Sequence, residues 1–426
     1  MRVAHFVQRY PPALGGSEAY FARLSRHLAD QGAEVMVFTT TALDLSAFWS
    51  PAGQCLSAGV AEEDGVTVRR FPLWRMWGRR YLLKPLSLLP PRWWQCMTMP
   101  CNPISWPMWR AAHQRQPRFD VVHATAFPYA WPIVCGLRLA RRQGIPFLLT
   151  PFLHLGDPAN PADRTRRAYL SPALRWLVRQ ADRIFVQTEM ERAALLDEHI
   201  AAEKIVLLGM GVEPADCTGG DRQRARQQWQ ARSDEVVLGH LANLSREKGT
   251  VDLLQAAQRA WRDGLRFRLV LAGPAMPNFE AFWRTFSPLG PVCRLGVLSA
   301  EQKRDFFAGL DVFALPSRSD SFGLVILEAW ANGVPTVAYR AGGPAQVIHH
   351  QHDGWLVPCG DVASLAEALT ILIPDIPRCR QLGNLGRLRA LRDYRWTDKL
   401  RQVQVHYQES TTLPKAGRAC KGLSAF

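Results

Sequence analysis

Short apolar runs separated by segments of helical period recur along the chain. Val3 to Val7 form the first run, and Pro11-Pro12-Ala13-Leu14-Gly15-Gly16-Ser17-Glu18 breaks it. Tyr20, Leu24 and Leu28 then repeat at helical spacing, Gly32 ends that helix, and Val35-Met36-Val37-Phe38 reads as a second strand. Val121-Val122, Phe147-Leu148-Leu149 and Ile184-Phe185-Val186 continue the series, with helical stretches between them. Strands alternating with helices in this way predict a parallel, doubly wound α/β sheet.

The pattern restarts after Ile205. Val236-Val237-Leu238, Phe267 to Leu271, Asp311 to Leu315 and Pro335 to Ala338 are short strand candidates, each followed by loop residues and a helical stretch. Glycine and proline cluster at Gly209-Met210-Gly211-Val212-Glu213-Pro214, which sets a boundary there. The expected organisation is therefore a first Rossmann-like domain over 1–208 and a second over 209–390. A helix over 391–410, returning to the first domain, and a loose tail over 411–426 follow. Two sheets of this kind, facing each other, create a deep cleft lined by loops at the carboxyl ends of strands. A single dehydrogenase-like fold is disfavoured, because only Gly15-Gly16 stands where Gly-x-Gly-x-x-Gly is needed.

Composition agrees with two domains. The 426 residues exceed one comfortable core, and 47% hydrophobic with 21% charged residues describes a globular enzyme. Nine scattered cysteines contain no Cys-x-x-Cys pair, so neither a disulfide framework nor a zinc site is expected, and a reduced cytoplasmic setting is. The opening MRVAHFVQRY lacks the apolar core of a signal peptide, and no apolar run reaches the roughly 18 residues that span a bilayer. A net charge of +15 points to anionic partners.

The chemistry concentrates in SDSFGLVILEAW, residues 319–330. Asp320 precedes a Phe-Gly pair and Glu328 follows eight residues later inside an apolar run, where an unpaired carboxylate is costly. A helix starting near Phe322 would put Asp320 in the preceding loop and Glu328 on the second turn. Backbone amides of Phe322, Gly323 and Leu324 would then be unpaired donors suited to a phosphate. Carboxylates that accept from adjacent hydroxyls, beside such a helix end, suit a nucleotide sugar. Taken alone, the pair reads more simply as a helix cap and a solvated acid. Its surroundings favour the site. Upstream, Leu241-Ala242-Asn243-Leu244-Ser245-Arg246-Glu247-Lys248-Gly249 places a lysine at a strand-to-helix loop, a point charge for a diphosphate. Downstream lie Asn332-Gly333-Val334-Pro335, Ala341-Gly342-Gly343-Pro344 and Asp353-Gly354-Trp355-Leu356-Val357.

Together DSFGLVILEAWANGVP, RAGGPAQV, SREKGTVDLLQA, DGWLVP and PPALGGSE resemble glycosyltransferase family 4, the retaining group 1 transferases of the GT-B fold. The resemblance is strong over 236–360 and weaker in the first half. It implies that Glu328 holds the donor's ribose hydroxyls and that Asp320 orients the donor sugar near Phe322, Gly323 and Leu324. It also implies that Lys248 binds the diphosphate and that His154, in TPFLHLGD, contacts the donor sugar at the reaction centre. Three positions depart from the family pattern. Asp320 replaces a longer glutamate, Asn243 replaces an arginine that Arg246 would have to substitute, and Gln346 stands where a glutamate often follows Gly-Gly.

On the acceptor side the family keeps a glycine loop where Gly15 and Gly16 lie; a simple tight turn explains them equally well. Glu18 would bind acceptor hydroxyls or only favour the helix start. His123 reads as structural. The implied reaction transfers a sugar from a nucleoside-diphosphate sugar to an acceptor hydroxyl with retention, with domain closure excluding water. No Asp-x-Asp motif is present, so neither metal nor another cofactor is expected. Alternatives are a nucleotide-sugar epimerase on the same fold, a non-catalytic nucleotide-sugar binder, and a nucleic-acid-binding protein, for which no recognisable module exists. Residues 65–119 carry ten Lys or Arg, no Asp or Glu and six tryptophans, and Arg164, Arg166, Arg167, Arg175 and Arg179 form a second basic group. Basic residues interleaved with tryptophan, Trp93 and Trp94 foremost, suit an anionic membrane surface; core tryptophans beside a solvated face suit the same pattern. The expected protein is a peripheral enzyme on the inner face of the cytoplasmic membrane that glycosylates a glycan or glycolipid acceptor.

Overall fold

The computed structural model describes residues 1–13, 15–156 and 163–412. The chain divides into two compact units. Among the described residues, one gathers Met1–Leu153, Arg166–Leu208 and residues 400–412; the other gathers Gly209–Lys399 together with residues 154–156 and 163–165. The second unit thus runs to Lys399 rather than 390, because Ile376–Asp393 is one of its helices. The last helix, Trp396–Thr412, starts five residues later than expected. Of the expected tail, residues 413–426 lie outside the described residues.

The first unit is built on eight strands: β1 (Arg2–Phe6), β2 (Glu34–Thr40), β3 (Gly59–Glu63), β4 (Val66–Phe71), β5 (Val121–Ala124), β6 (Phe147–Leu149), β7 (Arg183–Val186) and β8 (Ile205–Leu207). Their order is β3-β4-β2-β1-β5-β6-β7-β8, parallel throughout except for β3, which pairs antiparallel with β4 at the edge. That edge hairpin escapes a search for apolar runs. β4 alternates buried Val66 and Val68 with half-exposed Thr67 and Arg69, and β3 is mostly exposed. After β4 the prolines cut residues 79–113 into three short helices, Arg79–Leu86, Arg92–Thr98 and Trp106–His113.

The last helix belongs to this unit through its buried side chains. Leu400, Val403 and Tyr407 are buried, and the Tyr407 hydroxyl lies 3.0 Å from His5 Nε2 on β1 and 2.6 Å from His123 Nδ1 on β5. His5 Nδ1 continues to Ser25 at 2.8 Å and His123 Nε2 to Thr150 at 2.7 Å. Burial pushes His5 down to about 3 and His123 well below its usual range, so both rings stay neutral and exchange hydrogen bonds rather than charge. His123 is structural, as its lone placement suggested.

Six parallel strands form the second sheet: β9 (Val237–Leu241), β10 (Arg268–Ala272), β11 (Val292–Arg294), β12 (Val312–Leu315), β13 (Thr336–Tyr339) and β14 (Gly354–Val357). Their order is β11-β10-β9-β12-β13-β14. The chain therefore runs outward from β9 in one direction, then returns beside β9 with β12 and runs the other way. The loops after β9 and β12 leave the sheet on either side of this reversal, where open α/β sheets bind ligands.

One buried acid ties the first unit's loops together. Thr188 caps the helix Glu189–Asp197, and Glu191 accepts hydrogen bonds from the amides of Gln187 (3.1 Å) and Leu153, the residue before His154. Burial pushes its carboxyl up to about 8, beyond what those two amides pull back. The folded protein keeps this proton until about pH 8 whereas the unfolded chain releases it near 4.5. The associated stability is full below about pH 4.5 and is lost as pH rises through about 8. Glu191→Gln retains an acceptor for both amides and cannot titrate. Thermal melts between pH 5 and 8 should therefore fall less steeply in the variant than in the wild type. Parallel slopes would show that Glu191 is ionised in the folded state.

Candidate active site

Each residue of the second unit's site is placed by a loop that follows a strand. After β9 the chain turns at Ser245, whose hydroxyl accepts from the Lys248 amide at 3.1 Å and whose own amide donates to Thr250 at 3.1 Å. Gly249 sits at φ +72°, and a Cβ there would lie 1.8 Å from the Pro316 carbonyl oxygen. Glycine alone lets this loop lie against the one that follows β12. Lys248 Nζ can then reach across, donating to Asp320 Oδ2 at 2.8 Å and to the Ser319 carbonyl at 3.3 Å.

The other Asp320 oxygen accepts from the amides of Phe322 (3.3 Å) and Gly323 (3.1 Å). Burial raises the carboxyl's pKa, but the charge and hydrogen bond of Lys248, helped by backbone, overrule it and hold Asp320 below the usual carboxylate range. The Gly342-Gly343 pair after β13 supports the same loop from behind. Gly343 donates to the Asp320 carbonyl at 2.8 Å, and a Cβ on Gly342 would come within 2.3 Å of that oxygen.

The helix begins at Leu324, two residues after Phe322, with Gly323 as its N-cap. Two of the three amides expected to be open for a phosphate are therefore occupied by Asp320. The amides of Leu324 and Val325 have no protein partner among the described residues. Phe322 is buried, its ring edge-on to Tyr394 at 5.9 Å, so its side chain serves the core.

Glu328 stands on the second turn of this helix, and its burial has a partner. Lys303, on the helix Ala300–Gly309, donates to Oε1 at 2.5 Å. The second oxygen, Oε2, is buried without any hydrogen bond. An ionised oxygen left in that state is costly unless a ligand hydroxyl completes it. Lys303 lies 25 residues before Glu328, at no spacing that marks it in the sequence.

His154 clusters with this second unit and feels both Lys248 and Asp320. Burial, with the charge of Lys248 adding to it, pushes the ring down to about 4 against the pull of Asp320. It is neutral at pH 7. Asn243 lines an open hollow of about 460 Å³ together with Ser245, Glu247, Lys248, Met276 and Asn278. Arg246 is exposed and outside that lining, so Lys248 is the cation of the hollow.

In the first unit, Gly16 opens the helix Gly16–Asp30 and Gly15 is its N-cap. Glu18 is buried: Arg9 donates to its Oε1 at 2.8 Å, Gln8 to the same oxygen at 3.1 Å, and Ser17 to Oε2 at 2.8 Å. A Cβ on Gly15 would fall 2.2 Å from Glu18 Oε2. Glu18 is thus committed to shaping the glycine loop, and its carboxylate is not open to a ligand. Among the described residues, no group of three or more His, Cys, Asp or Glu could hold a metal ion.

Two α/β sheets with site loops at their strand ends are the architecture expected of the GT-B fold. Residues 221–389 match the family model of glycosyl transferases group 1, and residues 15–211 match the glycosyl transferase 4-like domain. The chain is 31% identical over 296 residues to a D-inositol 3-phosphate glycosyltransferase of Arthrobacter sp. (strain FB24), covering 65% of this chain and 68% of that one. In structure it resembles sucrose-phosphate synthase from Thermosynechococcus elongatus, with TM-score 0.74, 21% identity, and 96% and 98% of the two chains covered. It also resembles Anabaena HepE in complex with UDP-glucose, with TM-score 0.69, 18% identity, and coverage of 96% and 100%. The chain belongs to the group 1 glycosyltransferases.

Glu328→Gln replaces one charged acceptor by a mixed donor–acceptor. A hydrogen bond to a charged group contributes about 1.5–3 kcal/mol, so kcat/KM should drop about ten- to a hundredfold with the fold intact. Lys303→Met removes the ion-pair partner of Glu328, and should raise the donor KM with kcat less affected. A folded Glu328→Gln protein with wild-type kinetics on its true donor would remove Glu328 from the site.

Proposed function

We propose that the protein is a retaining, metal-independent hexosyltransferase. Its donor is a nucleoside-diphosphate sugar and its acceptor is a hydroxyl on a lipid-linked glycan or another cell-envelope glycoconjugate. The observation that carries this reading is Lys248, held at 2.8 Å by Asp320 over an open hollow at the reversal point of the second sheet. A cation fixed there suits a diphosphate. The ion pair is partly exposed, so Lys248 can exchange Asp320 for a phosphate without the full cost of uncovering a buried charge.

In the transfer, the bond from the anomeric carbon to the diphosphate oxygen breaks and a bond to the acceptor oxygen forms on the same face. The acceptor's proton passes to the departing diphosphate. Lys248 and the amides at the start of Leu324–Ala331 stabilise the charge that develops on it. Released from Lys248, Asp320 turns an acceptor oxygen toward the sugar, and the neutral His154 ring offers it one hydrogen bond. Glu328, held by Lys303, accepts from ribose hydroxyls through its unpaired oxygen. Anabaena HepE, solved with UDP-glucose, supports a uridine nucleotide as the donor's leaving group.

Chelation should leave activity intact, because a lysine and backbone amides do the work of a cation. Lys248→Ala should cut kcat/KM far more than Arg246→Ala, and the product should keep the donor's anomeric configuration by NMR. Complete loss of activity in chelator, restored by a divalent metal, is the outcome that sinks this account.

A further inference from the structure

The described residues expose eighteen large hydrophobic side chains, and six of them fall between residues 76 and 89: Met76, Trp77, Tyr81, Leu82, Leu88 and Leu89. Single exposed apolar residues are ordinary, but this concentration on one short stretch is not. Trp77 is 73% exposed, Tyr81 84% and Leu88 75%.

The stretch is held in place from below. On the helix Arg79–Leu86 only Arg79 and Leu83 turn inward. Arg79 donates to the carbonyls of Trp74 (2.9 Å) and Asn102 (2.5 Å). From the next helix, Trp94 Nε1 donates to the Leu86 carbonyl at 3.1 Å and Gln95 to the Leu88 carbonyl at 3.2 Å. Side chains of the supporting helix thus fix the backbone whose outer face carries the apolar residues. Trp93 and Trp94, which the sequence offers as the inserting pair, are half-buried members of that support, their rings edge-to-face at 5.9 Å.

Charge decides what this face meets. Arg75, Arg80, Lys84 and Arg92 are exposed around it, and no acid occurs from 65 to 119. A second copy of the chain would set these cations against their own kind. A nucleic acid would satisfy the cations and leave Leu82, Leu88 and Leu89 in water. Anionic lipid satisfies both, with aromatic and leucine side chains at headgroup depth and cations on the phosphates.

We propose that residues 75–92 are a membrane-docking surface that inserts Trp77, Tyr81, Leu82, Leu88 and Leu89 into an anionic bilayer. The surface gives the lipid-linked acceptor proposed above a place to be collected, but its existence does not depend on that reading. The test is co-sedimentation of the full chain with phosphatidylcholine vesicles, with and without phosphatidylglycerol. Binding should require phosphatidylglycerol and fall with salt. Arg80→Gln with Lys84→Gln should weaken it by about tenfold or more. Trp77→Ser with Tyr81→Ser should weaken it comparably, while Leu388→Ser, an exposed leucine of the second unit, should not. Donor hydrolysis in vesicle-free solution should be unchanged in all of these variants, which separates a failure of docking from a failure of the transfer chemistry. Equal recovery in the supernatant with both vesicle types at low salt overturns the proposal. So does undiminished binding by the Trp77/Tyr81 variant, or a wild-type dimer that this variant dissociates.

Discussion

Asp320, through its carboxylate and its backbone carbonyl, joins three loops that come from different strands. One oxygen holds Lys248 from the loop after β9, and the other is held by the amides of its own loop after β12. Its backbone carbonyl accepts from Gly343 after β13. Remove that acid and Lys248 keeps only the Ser319 carbonyl at 3.3 Å, while the amides of Phe322 and Gly323 lose their acceptor. The shorter aspartate side chain fits this arrangement. It folds back onto its own loop, where one more methylene would have to be accommodated between the amides and the lysine.

Glycine makes the convergence possible. Lys248 reaches Asp320 because Gly249 lies flat against Pro316, and the Asp320 loop is backed by Gly342 and Gly343 at distances no side chain permits. The motif SREKG, the acid before Phe-Gly and the later Gly-Gly are therefore parts of one contact. They are separated in sequence because each strand contributes one loop to the same end of the sheet.

This explains what could be read without coordinates. Strands buried on both faces are continuous apolar runs, and most of them were legible for that reason. The β3–β4 hairpin was not, because its pattern alternates and its outer strand is exposed. Glu328 stood out because acids among apolar residues are rare, and Asp320 because it precedes the Phe-Gly pair eight residues earlier. Lys303, which completes Glu328, was silent because helix-to-helix pairing leaves no local spacing. The role of Glu18 was also hidden: its partner Arg9 lies across the loop, and nothing in Gly-Gly-Ser-Glu says which way the carboxylate turns. Trp77 and Tyr81 could not be told from Trp93 and Trp94 by composition, since only packing decides which rings face out.

The tyrosine shared by His5 and His123 has a further consequence. Its hydroxyl completes contacts between residues 402 positions apart, so the first unit's interior is finished by a helix that follows the second unit in the chain. The second unit is nearly continuous in sequence and needs no such late arrival. On a ribosome, the half of the protein made first must therefore wait, with part of its interior open, while the half made second reaches its native contacts. The first unit is complete only once the whole of the second has been synthesised.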